Sequence, residues 1–176
     1  TIAAATPPGV RMLSDPASET LVTTDKPMER PAAADCSLDG VRVLVAEDGA
    51  DNQRLIRHIL ERHAAEVTVV ENGLLAVEAV RKATADAQPF DAVLLDMQMP
   101  VLDGYAAASQ LRHEGYEGPV IALTANAMAH ERDQCIAAGC DEHVAKPIDR
   151  IRLIRVVRAC ADGRGRRKAI PATAKE

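Results

Sequence analysis

Val41-Arg42-Val43-Leu44-Val45-Ala46-Glu47-Asp48 is a near-continuous aliphatic run that stops at two carboxylates. Strict alternation would mark a strand wet on one face. An almost unbroken run marks a strand buried on both, the habit of a parallel sheet covered by helices. The same pattern repeats outward from this stretch: Ala92 to Leu95 leads to Asp96, Val120 to Leu123 leads to Thr124, and His143 to Ala145 leads to Lys146-Pro147. Val67, Val69 and Val70 supply one more strand. Between the strands, apolar residues recur at helical spacing. Leu55, Ile56, Ile59, Leu60 and His63 mark a first helix and Leu74, Val77 and Val80 a second. Tyr105 to about His113 marks a third, a fourth lies between Ala129 and Ala137, and Ile148, Ile151, Ile154 and Val157 place a last one. Five strands alternating with five helices predict a doubly wound α/β sheet.

Composition agrees with this class. Apolar residues make up 47% of the 176, but aromatics only 2%, so the core is built from aliphatic strands and alanine-rich helices. The formal charge of −5 speaks against a nucleic-acid surface, which rests on clustered basic residues. Cys36, Cys135, Cys140 and Cys160 form no CxxC pair and read as incidental thiols of a reducing compartment. No apolar run approaches the roughly 20 residues that span a bilayer. Residues 1–39, with Pro7, Pro8, Pro16, Pro27 and Pro31, show no periodicity and read as a disordered linker. Residues 40–161 then form the domain, and 162–176 a basic tail or linker.

In a parallel sheet the ends of these strands meet at one edge, where such folds bind their ligands. That edge collects Glu47, Asp48, Asp96, Thr124 and Lys146: three carboxylates, one hydroxyl and one ammonium. The set suits a divalent cation and a phosphoryl group. Each residue has a local alternative. Asp48 or Thr124 could cap the helix that follows, Asp96 could form a turn, and Lys146 could be a surface charge. Asp103-Gly104 reads as loop geometry at a helix start.

The segments VLVAED (43–48), VLLDMQMPVLDG (93–104), ALTANAM (122–128) and HVAKPI (143–148), in this order, resemble the receiver domains of two-component signalling, from about Val41 to Cys160. The resemblance implies a flavodoxin-like receiver fold with strand order 2-1-3-4-5. It implies that Asp96 is the phosphoacceptor, served by a phosphohistidine on a histidine kinase dimerisation domain or a histidine phosphotransfer protein. Asp48, Asp96 and the backbone carbonyl of Gln98 would bind Mg²⁺ (or Mn²⁺) directly, and Glu47 through water. Lys146 and Thr124 would address the phosphoryl oxygens, with Pro147 following a cis bond. Gln98 and Asn126 would tune phosphate lifetime. Thr124 and His143 would form the switch toward a face made by the fourth helix, fifth strand and fifth helix. His143 departs from the Tyr or Phe usual there, and its ring titrates near neutral pH. Gly49 departs from a common Asn.

The phrasing ALTANAM…GCDEHVAKPI is nearest to receivers of hybrid sensor histidine kinases, which implies a C-terminal receiver of a cytoplasmic portion whose parent is membrane-anchored. In that case the domain catalyses its own phosphorylation and dephosphorylation. The rival readings are a stand-alone adaptor regulator with the same site and a flavin module of the same fold. The second would lack this acidic set and need a phosphate-cradling loop after the first strand, and Glu47-Asp48 would repel its phosphate.

Overall fold

The computed structural model describes residues 37–125 and 129–163. Five parallel strands, β1 (Arg42–Ala46), β2 (Glu66–Val70), β3 (Ala92–Asp96), β4 (Val120–Thr124) and β5 (Glu142–Ala145), stand in the order β2-β1-β3-β4-β5. Helices α1 (Ala50–Glu61), α2 (Gly73–Ala85), α3 (Gly104–His113), α4 (Ala129–Ala138) and α5 (Arg150–Ala161) alternate with them. This is the fold expected from the alternation.

The aliphatic runs of β1, β3 and β4 are continuous because each of these strands feeds two cores. Leu44, Ala46, Val93, Leu95, Val120 and Ala122 pack on the side of α2 and α3 with Val77, Val80, Ala107, Ala108 and Leu111. Val43, Val45, Ala92, Leu94, Ile121, Leu123 and Val144 pack on the other with Ile56, Ile59, Leu60, Leu153, Ile154 and Val157. The period of two along each strand sends successive side chains to opposite layers.

The helix faces differ from expectation at three positions. Leu55 in α1, Leu74 in α2 and Ile151 in α5 are exposed, while Leu153 in α5 is fully buried. The cause in α5 is geometric. A strict i, i+3 series drifts by about 60° per step on a helix of 3.6 residues per turn, so Ile148, Ile151, Ile154 and Val157 cannot share one face. Ile148 precedes the helix, and the buried stripe is Leu153, Ile154, Val157 and Cys160. His63 lies past the end of α1, where its Nδ1 meets the Ile59 carbonyl oxygen at 2.9 Å.

Two glycines allow approaches that a side chain would block. At Gly104 an added Cβ would lie 2.2 Å from the carbonyl oxygen of Asp96, so α3 can start hard against the end of β3 only without a side chain there. Gly139, with φ +109°, closes α4. Its N–H donates to the Ile136 carbonyl and that of Cys140 to the Cys135 carbonyl, the paired bonds of a Schellman ending.

Candidate functional site

Strand register brings the site together. Ala46 pairs with Leu95, Asp96 with Leu123 and Thr124 with Ala145, so each next residue advances to the same edge of the sheet. Asp96 and Thr124 are the last residues of their strands rather than the first beyond them, and the ladder continues through Met97 N–H to the Leu123 carbonyl at 3.1 Å. Lys146 N–H donates to the Thr124 carbonyl at 2.7 Å, which fixes Lys146 beside the end of β4. The Lys146–Pro147 bond is cis.

The side chains converge as the chemistry requires. Glu47, Asp48 and Asp96 offer carboxylate oxygens within 4.8 Å of one another, the one such group of potential metal ligands among the described residues. Lys146 Nζ donates to Asp96 Oδ2 at 2.7 Å and to Glu47 Oε2 at 2.8 Å. Glu47 and Thr124 are each 1% exposed and Asp96 5%, whereas Asp48 faces solvent. Asp48 does not cap α1, whose N-cap is Gly49. Asp103 does cap α3, accepting from Ala106 N–H at 2.8 Å, as its reading as loop geometry anticipated.

Burial raises the Asp96 carboxyl above its ordinary range, and the Glu47 charge adds to this. Hydrogen bonds from Lys146 and from Gln98 N–H, the latter at 3.1 Å, pull the other way. Burial would lower the Lys146 ammonium, but its bonds to Asp96 and Glu47 outweigh that and raise it. Lys146 is therefore a firm cation, and the Asp96 carboxylate is partly desolvated and more basic than usual.

Two neighbours escaped the sequence reading. Asn52 Nδ2 donates to Glu47 Oε1 at 2.9 Å, and Gln53 Nε2 donates to the Glu47 carbonyl at 2.6 Å. Both lie on the first turn of α1, which folds back over the end of β1. A polar pair five and six residues after a strand-end carboxylate is the only signal they leave in the sequence.

His143 is half-buried on β5. Burial lowers its pKa, helped by Arg152 and Arg132 and opposed by Glu142. Gln98 is exposed beside Asp96, and Asn126 lies outside the described residues. A cleft of about 550 Å³ opens at the opposite edge of the sheet, lined by Val80, Phe90, Leu111 and Tyr116. Two of its charged residues, Arg81 and Glu114, are paired with each other.

The family model for the response regulator receiver domain matches residues 43–158, more than half of the chain. The chain belongs to that family. The receiver is 36% identical over 152 residues to the sensor histidine kinase GacS of Pseudomonas protegens, covering 84% of this chain and 15% of that protein. It is 35% identical over 143 residues to probable histidine kinase 2 of Oryza sativa subsp. indica, covering 74% of this chain and 14% of that one. The chain thus spans only a small part of the curated relatives it matches. Among solved structures, the receiver domain of sensor histidine kinase PA1611 from Pseudomonas aeruginosa, with a magnesium ion in its active-site cleft, superposes with a TM-score of 0.61 at 38% identity. That match covers 70% of this chain and 98% of that one. The protein is a two-component receiver related to those of hybrid histidine kinases, and the flavin reading falls. Among the described residues, no helix is long and apolar enough to cross a membrane.

Proposed function

We propose that Asp96 accepts a phosphoryl group from a phosphohistidine on a histidine kinase dimerisation domain or a histidine phosphotransfer protein. The observation that carries this is the ion-paired edge: Lys146 held on Asp96 at 2.7 Å and on Glu47 at 2.8 Å, with Asp48 completing an acidic set. An Asp96 carboxylate oxygen attacks phosphorus as the P–N bond breaks, and its electron pair returns to the imidazole. Lys146 offsets the negative charge that accumulates on the phosphoryl oxygens, and the Thr124 hydroxyl donates to one of them.

Hard oxygen donors fit Mg²⁺ or Mn²⁺. Asp48, Asp96 and the Gln98 carbonyl would hold the ion, with Glu47 acting through water, and the ion would neutralise the approach of phosphate to carboxylate. Gln98, exposed beside Asp96, and Asn126, which lies outside the described residues, would set the lifetime of the acyl phosphate. The switch runs from Thr124 to His143 and out through α4, β5 and α5. The PA1611 receiver supports the metal, and the GacS and rice proteins support a parent that is a histidine kinase; in our reading that parent is a hybrid kinase with this receiver on its cytoplasmic portion. The domain, on the same reading, comprises residues 40–161 together with the short lead at 37–39 that packs against it.

Intact mass after incubation with acetyl phosphate and Mg²⁺ tests the reading. Wild type should gain one phosphoryl group, while Asp96→Asn or added EDTA should prevent the gain. Equal gain in Asp96→Asn would refute the assignment.

A further inference from the structure

The two oxygens of Glu47 have different fates. Oε1 is taken from the α1 side by Asn52 Nδ2 at 2.9 Å and Gly49 N–H at 3.3 Å. Oε2 alone is turned to the phosphorylation edge, where Lys146 Nζ meets it at 2.8 Å. Glu47 is 1% exposed, so water is not freely available to replace Asn52 on Oε1. Gln53 fixes the same residue through its backbone carbonyl, at 2.6 Å. The Glu47 carboxylate is thus gripped on one oxygen and presented by the other.

The geometry points to Asn52 as a positioning residue that restricts Glu47 to one oxygen and thereby makes the site discriminate Mg²⁺ from Ca²⁺. This inference rests on the proposed role of Glu47 in the metal site. Mg²⁺ demands a near-octahedral shell and retains waters, so a carboxylate that offers one fixed oxygen to a metal-bound water suits it. Ca²⁺ takes more oxygens at longer range and readily accepts both from one carboxylate. Without Asn52, only the longer Gly49 bond at 3.3 Å holds Oε1, so Glu47 can turn and enter a larger metal shell directly with both oxygens. The change removes the preorganised water-mediated contact that favours Mg²⁺ and supplies direct ligand atoms that favour Ca²⁺. Asn52 itself touches neither ion nor phosphate and acts only through Glu47.

Titration calorimetry on the full chain, with Mg²⁺ and with Ca²⁺ as the sole divalent ion, tests this. Partners that orient a metal-binding carboxylate typically contribute about ten-fold or more to affinity. Asn52→Ala, which suits a helix at least as well as Asn, should weaken Mg²⁺ by about that factor. Ca²⁺ should change by less than about two-fold, so that the selectivity narrows. Asn52→Leu, close to Asn in shape but without a donor, should behave alike. In a Glu47→Gln background neither substitution should alter the Mg²⁺-to-Ca²⁺ ratio, because coupled residues are non-additive.

A general loss of α1 structure would weaken both ions and would do so in both backgrounds; that result overturns the inference. So does an unchanged Mg²⁺ affinity in Asn52→Ala when Glu47→Gln alone does weaken Mg²⁺. If Glu47→Gln itself leaves Mg²⁺ binding untouched, the metal role of Glu47 fails first and the inference falls with it.

Discussion

Lys146 balances the charge of the site. It sits 2.7 Å from Asp96 and 2.8 Å from Glu47, and both carboxylates are almost wholly buried. Removing one partner of a buried ion pair leaves the other charge uncompensated, at a cost of several kcal/mol in fully buried cases. Lys146 is 21% exposed, so Lys146→Met should cost less, about 2 kcal/mol of stability in EDTA. Saturating Mg²⁺ should narrow that difference, since the ion supplies the missing positive charge. Urea unfolding of both proteins in EDTA and in Mg²⁺ checks this, and an equal gap in both buffers would separate Lys146 from the acidic set.

His143 gives a prediction with a definite sign. Its folded pKa lies below the ordinary 6.5, because burial, Arg152 and Arg132 disfavour the imidazolium against the weaker pull of Glu142. The unfolded chain therefore takes up the proton first as pH falls. The associated stability is fully present above 6.5 and is lost as pH falls from there through the folded value. Relative to His143→Tyr, wild type should lose stability between pH 7.5 and about 5.5. Response to a phosphate mimic should weaken at the lower end of that window, because a charged ring resists burial. Parallel unfolding curves of the two proteins at every pH would leave His143 a packing residue.

The elements separate what was legible from what was not. Strands buried on both faces announce themselves as aliphatic runs, and the polar residue that ends each run marks the edge where chemistry gathers. Hence Glu47, Asp96, Thr124 and Lys146 could be located before any coordinates. Helix faces were harder. Leu55, Leu74 and Ile151 are apolar yet exposed, and a single chain does not say which of two adjacent aliphatic residues turns inward. Asn52 was invisible because its partner lies across a turn and its residue type is ordinary on a helix. Asp103 and Gly104 were read together as loop geometry, but their neighbours differ. Asp103 caps α3, so Asp103→Ala should cost about 1 kcal/mol and leave phosphorylation intact. Gly104 lies against the Asp96 carbonyl, so Gly104→Ala should destabilise more and also slow phosphoryl uptake by displacing the end of β3. Denaturant midpoints with uptake rates for the pair test this, and equal uptake would show that β3 tolerates the shift.

Across the whole molecule, the fold reaches slightly beyond the expected boundary at residue 40. Leu38 is fully buried in the core beside α1 and α5, its N–H donates to the His63 carbonyl at 2.7 Å, and Arg158 reaches the Ser37 carbonyl at 2.9 Å. A lone Leu within Ser37-Leu38-Asp39-Gly40 carries no periodic signal, which is why the boundary was set after it. Leu38→Ala should cost about 2–4 kcal/mol, in the range of buried leucine truncations, and a change below about 1 kcal/mol would restore the later boundary.

The proposed chemistry of the acidic edge turns on where the phosphoryl group lands. Borohydride reduces an aspartyl phosphate to homoserine, so the acceptor can be identified by peptide mass after labelling with acetyl phosphate and Mg²⁺. Homoserine is expected at position 96, with no reduced side chain at any other acidic residue, and none when EDTA replaces Mg²⁺. Homoserine at 48, 5-hydroxynorvaline (the reduction product of a glutamyl phosphate) at 47, or label persisting in EDTA, would contradict the assignment of Asp96.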